Sequence, residues 1–94
     1  MNLLFQWDRD KALSNLRKHG VSFEEAKTVF RDELSVVAPD TEHSEGEVRY
    51  IQIGHSTNGR LLIVFFVERE DAVRIINARR PTRSERKRYE EGDF

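Results

Sequence analysis

Val48-Arg49-Tyr50-Ile51-Gln52-Ile53-Gly54-His55, Leu61-Leu62-Ile63-Val64-Phe65-Phe66-Val67 and Ala72-Val73-Arg74-Ile75-Ile76-Asn77-Ala78-Arg79 follow one another with only short polar breaks. The first segment sets Arg49, Ile51, Ile53 and His55 against Val48, Tyr50 and Gln52, the two-residue period of a strand. The second is apolar at every position, as a central strand covered on both sides would be. Asn58-Gly59 marks a tight hairpin between them, predicted as type I′ because both of its central residues need positive φ. Glu68 to Asp71 form a second turn. The three segments therefore predict an antiparallel meander, the part of the chain that decides the fold. In the last strand, strict alternation would place Arg74, Ile76, Ala78 and Arg80 on one face and Val73, Ile75, Asn77 and Arg79 on the other.

Upstream, Leu3 to Trp7 is a short apolar and aromatic run that reads as an opening strand, closed by Asp8 as a helix N-cap. A helix follows to His19, with Ala12, Leu13 and Leu16 at helical spacing. Gly20 stands where a left-handed C-cap ends it. Ser22 and Glu25 have capping-box spacing, with Val21 and Ala26 as a hydrophobic staple, and open a second helix whose apolar face is Phe23, Ala26, Val29 and Phe30. Leu34 to Ala38 switches to a β-type run ended by Pro39, and Asp40 to Gly46 is a polar loop. After Pro81, Thr82 and Glu85 repeat the capping box and open a terminal helix. Tyr89 is its only clear apolar anchor, so the hydrophobic effect alone does not explain why it would dock. The order is β-α-α-β-β-β-β-α: one α+β domain over residues 1–94, with helices gathered on one side of a mostly antiparallel small sheet.

Composition bounds the chemistry. Ninety-four residues without a cysteine leave no disulfide framework, thiolate nucleophile or cysteine-based metal site. The longest apolar run, Leu61 to Val67, is far short of the roughly 20 residues of a membrane-spanning helix, and charged residues at Asp8, Arg9 and Asp10 interrupt any signal-peptide pattern. The expectation is a soluble, cytoplasmic protein without a membrane partner. The net charge of −1 conceals an asymmetry: six bases and ten acids up to Glu47, ten bases and seven acids after it.

Six of those bases, Arg79, Arg80, Arg83, Arg86, Lys87 and Arg88, fall within ten residues, opposed in that window only by Glu85. Such a cluster favours a polyanion, although pairing with Glu90 and Glu91 on a solvated helix face would give the same pattern. Arg74 and Arg79 lie in a strand beside apolar residues, where an unpaired charge is costly, and planar guanidinium groups suit phosphate. Lys18-His19 offers a proton carrier and a cation, at a spacing equally typical of a helix C-terminus. The carboxylates Glu47 and Glu68 are possible bases. Asp40 to Arg49, with His43, Glu45, Glu47 and Arg49, mixes acid, base and cation near a strand start. The three histidines are scattered and predict no metal site.

Phe5-Gln6-Trp7-Asp8, Asn15 to Ala26 around Lys18-His19-Gly20-Val21-Ser22-Phe23, Tyr50-Ile51-Gln52-Ile53-Gly54, Arg74-Ile75-Ile76-Asn77-Ala78-Arg79, and Glu85 with Tyr89 resemble, in order and spacing, the BrnT family of toxins. Phe65-Phe66 and Pro81 depart from its pattern. The resemblance implies a RelE-like fold, a ribonuclease toxin of a type II toxin-antitoxin module, and a BrnA-type antitoxin as partner, with operator DNA bound only by the toxin-antitoxin complex. It implies metal-independent cleavage without a cofactor, in which the RNA 2′-hydroxyl attacks the adjacent phosphate. On that basis Arg74 and Arg79 would bind phosphate, Lys18 or His19 would move protons or stabilise charge, and Glu47 or Glu68 would act as base. Arg49, Arg80 and Arg83 would position RNA, and Tyr89 would hold the last helix or stack on a base. The competing expectation is a non-catalytic module that binds nucleic acid or protein through the same basic face.

Overall fold

The computed structural model describes residues 3–94. Its elements are β1 (Leu4–Gln6), α1 (Arg9–His19), α2 (Phe23–Thr28) continued by a 3-10 turn (Val29–Arg31), β2 (Val36–Pro39), β3 (Arg49–His55), β4 (Leu61–Arg69), β5 (Ala72–Arg79) and α3 (Arg83–Glu90). The sheet order is β1-β5-β4-β3-β2. β1 runs parallel to β5 and every other pair is antiparallel. The predicted element order and the antiparallel meander both stand in the structure.

Local signals account for the helix ends. The Asp8 carboxylate accepts from Lys11 N at 2.9 Å, and Gly20, at φ 68°, donates its N–H to Leu16 O. Thr82 and Glu85 form a complete capping box at α3. At α2 the box is only half made: Ser22 Oγ accepts from Glu25 N, but the Glu25 side chain turns away from the cap. Its carboxylate takes hydrogen bonds from Ser56 Oγ and from the Arg60 guanidinium, which also donates to Gly20 O. Those Arg60 bonds hold the Glu25 carboxyl below its ordinary range. Glu25 therefore ties α2 to the β3–β4 hairpin, and a buried carboxylate with a guanidinium in reach has more to gain from that partner than from a backbone N–H.

The hairpin also differs from type I′. Gly59 has φ 78° but Asn58 keeps negative φ, and Ser56 both receives from Gly59 N and donates to Arg60 O. This is a three-residue loop with glycine at the left-handed position, an alternative that demands the same glycine.

The faces of the sheet are set by β5. Phe65 pairs with Asn77 and Phe66 with Ile75, so Ile76 is an extra residue, a β-bulge. Parity therefore changes partway along the strand. Val73, Ile75 and Ala78 face α1 and α2, and Arg74, Asn77 and Arg79 go to the opposite face, against the grouping that strict alternation predicts. Under the helices lies the larger core, Val21, Phe23, Ala26, Val29, Leu62, Val64 and Phe66 with those three β5 residues. The aromatic rings of Trp7, Phe30 and Tyr50 close its margins.

α1 meets this core with Ala12 and the buried Asn15, whereas Leu13 and Leu16 are about half exposed. β1 covers β5 only from Ala72 to Arg74, and among the described residues no strand pairs with the later part of that edge. The Asn15 amide fills that gap: Nδ2 donates to Ala78 O (2.8 Å) and Val21 O (2.9 Å), and Oδ1 accepts from Ala78 N (3.1 Å). One side chain thus satisfies both backbone groups that a further strand would have paired.

α3 lies on the other face, away from α1 and α2, so the helices are not gathered on one side. There Tyr89 and Phe94 pack on Ile53, Leu61 and Ile63. Gly54 in β3 sits under the turn after α2: a Cβ there would stand 2.6 Å from Ser35 Cβ. We expect Asn15→Ala to lower unfolding free energy by about 3 kcal/mol, since it strands several buried backbone groups. Gly54→Ala should cost about 1–3 kcal/mol by overpacking. Urea unfolding monitored by Trp7 fluorescence measures both.

Candidate functional site

The face opposite α1 and α2 is covered by α3 only over its lower rows. The uncovered part carries Arg49, Val67 and Arg74 in one cross-strand row. Val67 is 1% exposed and its two arginine neighbours are half-buried, so their aliphatic stems shield it while their heads reach the surface. Two strand spacings put Arg49 and Arg74 about 10 Å apart. Arg74 Nη1 donates to the neutral Gln6 Oε1 at 3.2 Å.

Carboxylate pairing separates the arginines into two groups. Arg60, Arg69, Arg79 and Arg86 are bridged to Glu25, Glu47, Glu85 and Glu90. Among the described residues, Arg9, Arg17, Arg31, Arg49, Arg74, Arg80, Arg83 and Arg88 have no such bridge, and of these Arg49 and Arg74 share a row of the sheet. Like charges gathered without a carboxylate between them favour an anionic ligand.

Next to this row, a cleft of about 280 Å³ opens between the β2–β3 loop and α3. Its walls include Asp40, His43, Ile51, Phe65, Arg79, Glu85, Arg88 and Phe94. Arg79 lies over the Phe65 ring, 5.4 Å from its centroid, and binds Glu85 in a fork, Nη1 to Oε1 at 2.8 Å and Nη2 to Oε2 at 3.0 Å. Glu85 Oε1 also accepts from Thr82 N. The Arg79 hydrogen bonds, against partial burial and with help from Thr82, bring the Glu85 carboxyl down to about 2, and the same pair raises the Arg79 pKa. This bridge, with Tyr89 and Phe94, explains how so polar a helix docks.

On the far wall, the buried Asp40 carboxylate accepts from His43 Nδ1 at 3.0 and 3.2 Å. Ser44 Oγ closes the loop by donating to Asp40 O and accepting from Arg49 N. Arg88 stacks on Phe94, 5.0 Å from the ring centroid.

The remaining sequence candidates lie elsewhere. Lys18 and His19 are exposed at the end of α1, around a small depression with Lys11, Ser14, Ile76 and Asn77. Glu47 is paired with Arg69 at 2.9 Å. Glu68 is in register with Val73, which puts it on the helix-covered face, away from the arginines. Arg80 and Arg83 are exposed between β5 and the first turn of α3. Tyr89 packs edge-on to His55 and its hydroxyl reaches Leu34 O at 3.4 Å, an anchoring position in which burial raises its pKa. The structure therefore brings Arg49, Arg74 and Arg79 onto one face, where Arg69 in the next row holds Glu47, and leaves Lys18, His19 and Glu68 outside it. Reading the sequence placed Arg88 in the basic cluster and Asp40 and His43 in one mixed polar segment, but missed the Asp40–His43 pair. The one local trace of that pair is the i, i+3 spacing of an acid and a histidine in a polar loop. Among the described residues, no three His, Asp or Glu side chains come together as a metal-binding group.

Residues 7–85 match a family model described as the ribonuclease toxin, BrnT, of type II toxin-antitoxin systems. Among solved structures, the chain is similar to the 1.1 Å crystal structure of the Brucella abortus ribonuclease toxin BrnT, with 21% identity and a TM-score of 0.67. That likeness covers 87% of this chain and 100% of the other, and at this identity it establishes the fold. No protein in the curated set matches. No helix among the described residues is long and apolar enough to cross a membrane.

The Arg79–Glu85 bridge has a pH signature. Because the folded carboxyl titrates at about 2 rather than 4.5, its contribution to stability is complete above about pH 4.5 and is lost as pH falls through about 2. In the wild type, the Tyr89 ring resonances should report undocking of α3 across that window. Glu85→Gln should cost about 1–2 kcal/mol at neutral pH and remove this acid transition, as NMR titration and thermal unfolding would measure.

Proposed function

The chain belongs to the BrnT family of ribonuclease toxins of type II toxin-antitoxin systems, and on that premise we propose that it is a metal-independent endoribonuclease acting through the arginine face of its sheet. What carries this reading is Arg49 and Arg74, two arginines without a carboxylate partner, flanking Val67 beside the Arg79 cleft. RNA laid across this face meets guanidinium groups that stay charged at any physiological pH and match phosphate oxygens in pairs.

In the proposed reaction the RNA's own 2′-hydroxyl attacks the adjacent phosphorus, and the 5′-oxygen of the next nucleotide leaves. The protein must hold the backbone in line and stabilise the extra negative charge on the phosphorane. Arg49 and Arg74 supply the positive charge that balances it. Arg79, fixed by Glu85 and with no acceptor for its Nε–H among the described residues, adds a rigid donor to the cleft. Arg80 and Arg83 extend the positive surface along the strand, and Lys18 and His19 form a separate contact beside the β5 edge. A BrnA-type antitoxin would neutralise the protein by covering Arg49 and Arg74 with acidic side chains, and operator DNA would be bound by that complex.

Incubating purified protein with RNA in EDTA should yield cleavage products. Arg49→Ala and Arg74→Ala should each slow cleavage about 100-fold with unfolding temperatures near that of the wild type. Salt-sensitive RNA binding without products would instead identify a non-catalytic module and overturn the enzymatic reading.

A further inference from the structure

Resting on the cleavage reaction just described, we propose that His43, oriented by Asp40, is the proton carrier of that reaction, with Arg88 anchoring phosphate beside it. The argument begins with elimination among three histidines. His55 has its ring against Tyr89, under α3, and its Nδ1 is 3.8 Å from Asp32. His19 lies in the depression at the end of α1, apart from the arginine face. His43 alone lines the cleft that holds Arg79 and Arg88.

The partner of His43 fixes its chemistry. A carboxylate can only accept, so the proton of the neutral ring sits on Nδ1, toward Asp40, and Nε2 is left as a free acceptor. Asp40 is buried, and among the described residues its carboxylate meets no side chain other than His43. The His43 side chain is 57% exposed, so it remains accessible to a ligand. A buried carboxylate, an imidazole turned by it and an accessible second nitrogen are the parts of a general base held in one tautomer. The charged groups around the cleft are Asp40 and Glu42 on the loop, Arg79 on β5, and Glu85 and Arg88 on α3. Glu85 is already bound to Arg79, which leaves Arg88 as the cation there without a carboxylate bridge.

The proton and bond balance is complete without a further reagent. His43 Nε2 takes the proton of the 2′-hydroxyl as the 2′-oxygen bonds to phosphorus. The bond from phosphorus to the 5′-oxygen breaks, and that oxygen takes a proton from water. The resulting hydroxide is neutralised by the imidazolium proton, giving a 2′,3′-cyclic phosphate and a 5′-hydroxyl. Arg88 and Arg79 hold the phosphate oxygens. Asp40 is a positioning residue that acts through the imidazole.

Three measurements on the full-length protein test this: single-turnover cleavage in EDTA from pH 5 to 9, affinity for a 2′-O-methyl RNA that cannot react, and rescue by added imidazole. His43→Ala should slow cleavage at least about 100-fold while its affinity for the 2′-O-methyl RNA stays near that of the wild type. Imidazole should restore part of the rate. Asp40→Asn should slow cleavage less and alter the pH–rate profile, which a purely structural role for Asp40 would not do. A wild type that cleaves and a His43→Ala protein that cleaves equally well would overturn this proposal alone. A wild type that leaves RNA intact would overturn the preceding reading and this one with it. Loss of RNA affinity in His43→Ala matching its loss of rate would make His43 a binding residue and also overturn the proposal.

Discussion

Ile76 is one residue more than the β4–β5 ladder can pair, and the chain accommodates it by breaking the alternation of β5. Without that insertion Arg74 and Arg79 would fall on opposite faces, one of them on the side covered by α1 and α2, among the apolar residues of the larger core. With it, Val73, Ile75 and Ala78 all enter the core and both arginines reach the same open surface. The bulge also sets Ala78 with its backbone groups toward Asn15. Core, edge and basic face are thus consequences of the same local irregularity. A strand that must be apolar on one side and cationic on the other gains more from that placement than it loses in one ladder interaction.

Charge has a second organising role. The acidic first half and basic second half of the chain are stitched together by Arg60 with Glu25 and Arg69 with Glu47, two bridges that join distant segments. Arg79 and Glu85 do the same over a shorter span and fasten a helix with little apolar surface of its own. Among the described residues, the cations left after this pairing include Arg49 and Arg74 in one row of the sheet, although the net charge is close to zero. Electrostatics serves both architecture and the proposed recognition here, and Arg79 belongs to both, bound to Glu85 and lining the cleft.

Much of the fold is legible in the sequence because its signals are local. Asp8, Gly20, Thr82 and Glu85 act within one helical turn of themselves, and the apolar run Leu61 to Val67 marks a central strand whatever surrounds it. The errors arise where a distant partner intervenes. Glu25 has capping-box spacing, yet Arg60, 35 residues away, takes its carboxylate. Asn58-Gly59 satisfies two turn types equally, and the register of β3 against β4 chooses between them. Alternation in β5 fails because nothing in Ile75-Ile76-Asn77 announces a change of parity. Of the site, Arg49, Arg74 and Arg79 are recognisable by residue type. The cleft is not, since its two walls come from the β2–β3 loop and α3, which only the folded sheet brings near one another.

The Asn15 amide on the edge of β5 also bears on how this protein behaves in a crowd of its own copies. A five-stranded sheet has two borders at which a strand from another molecule could add, and such addition leads to open-ended assembly. Along one border β1 supplies three residues and Asn15 occupies the backbone groups of Ala78 beyond them. Along the other, β2 is only four residues long and ends in Pro39, which has no N–H to offer. Both borders are blunted, one by an amide and one by an imino acid. Replacing Asn15 would therefore expose a template for strand addition as well as weaken the fold, making colloidal behaviour as sensitive to this residue as stability is.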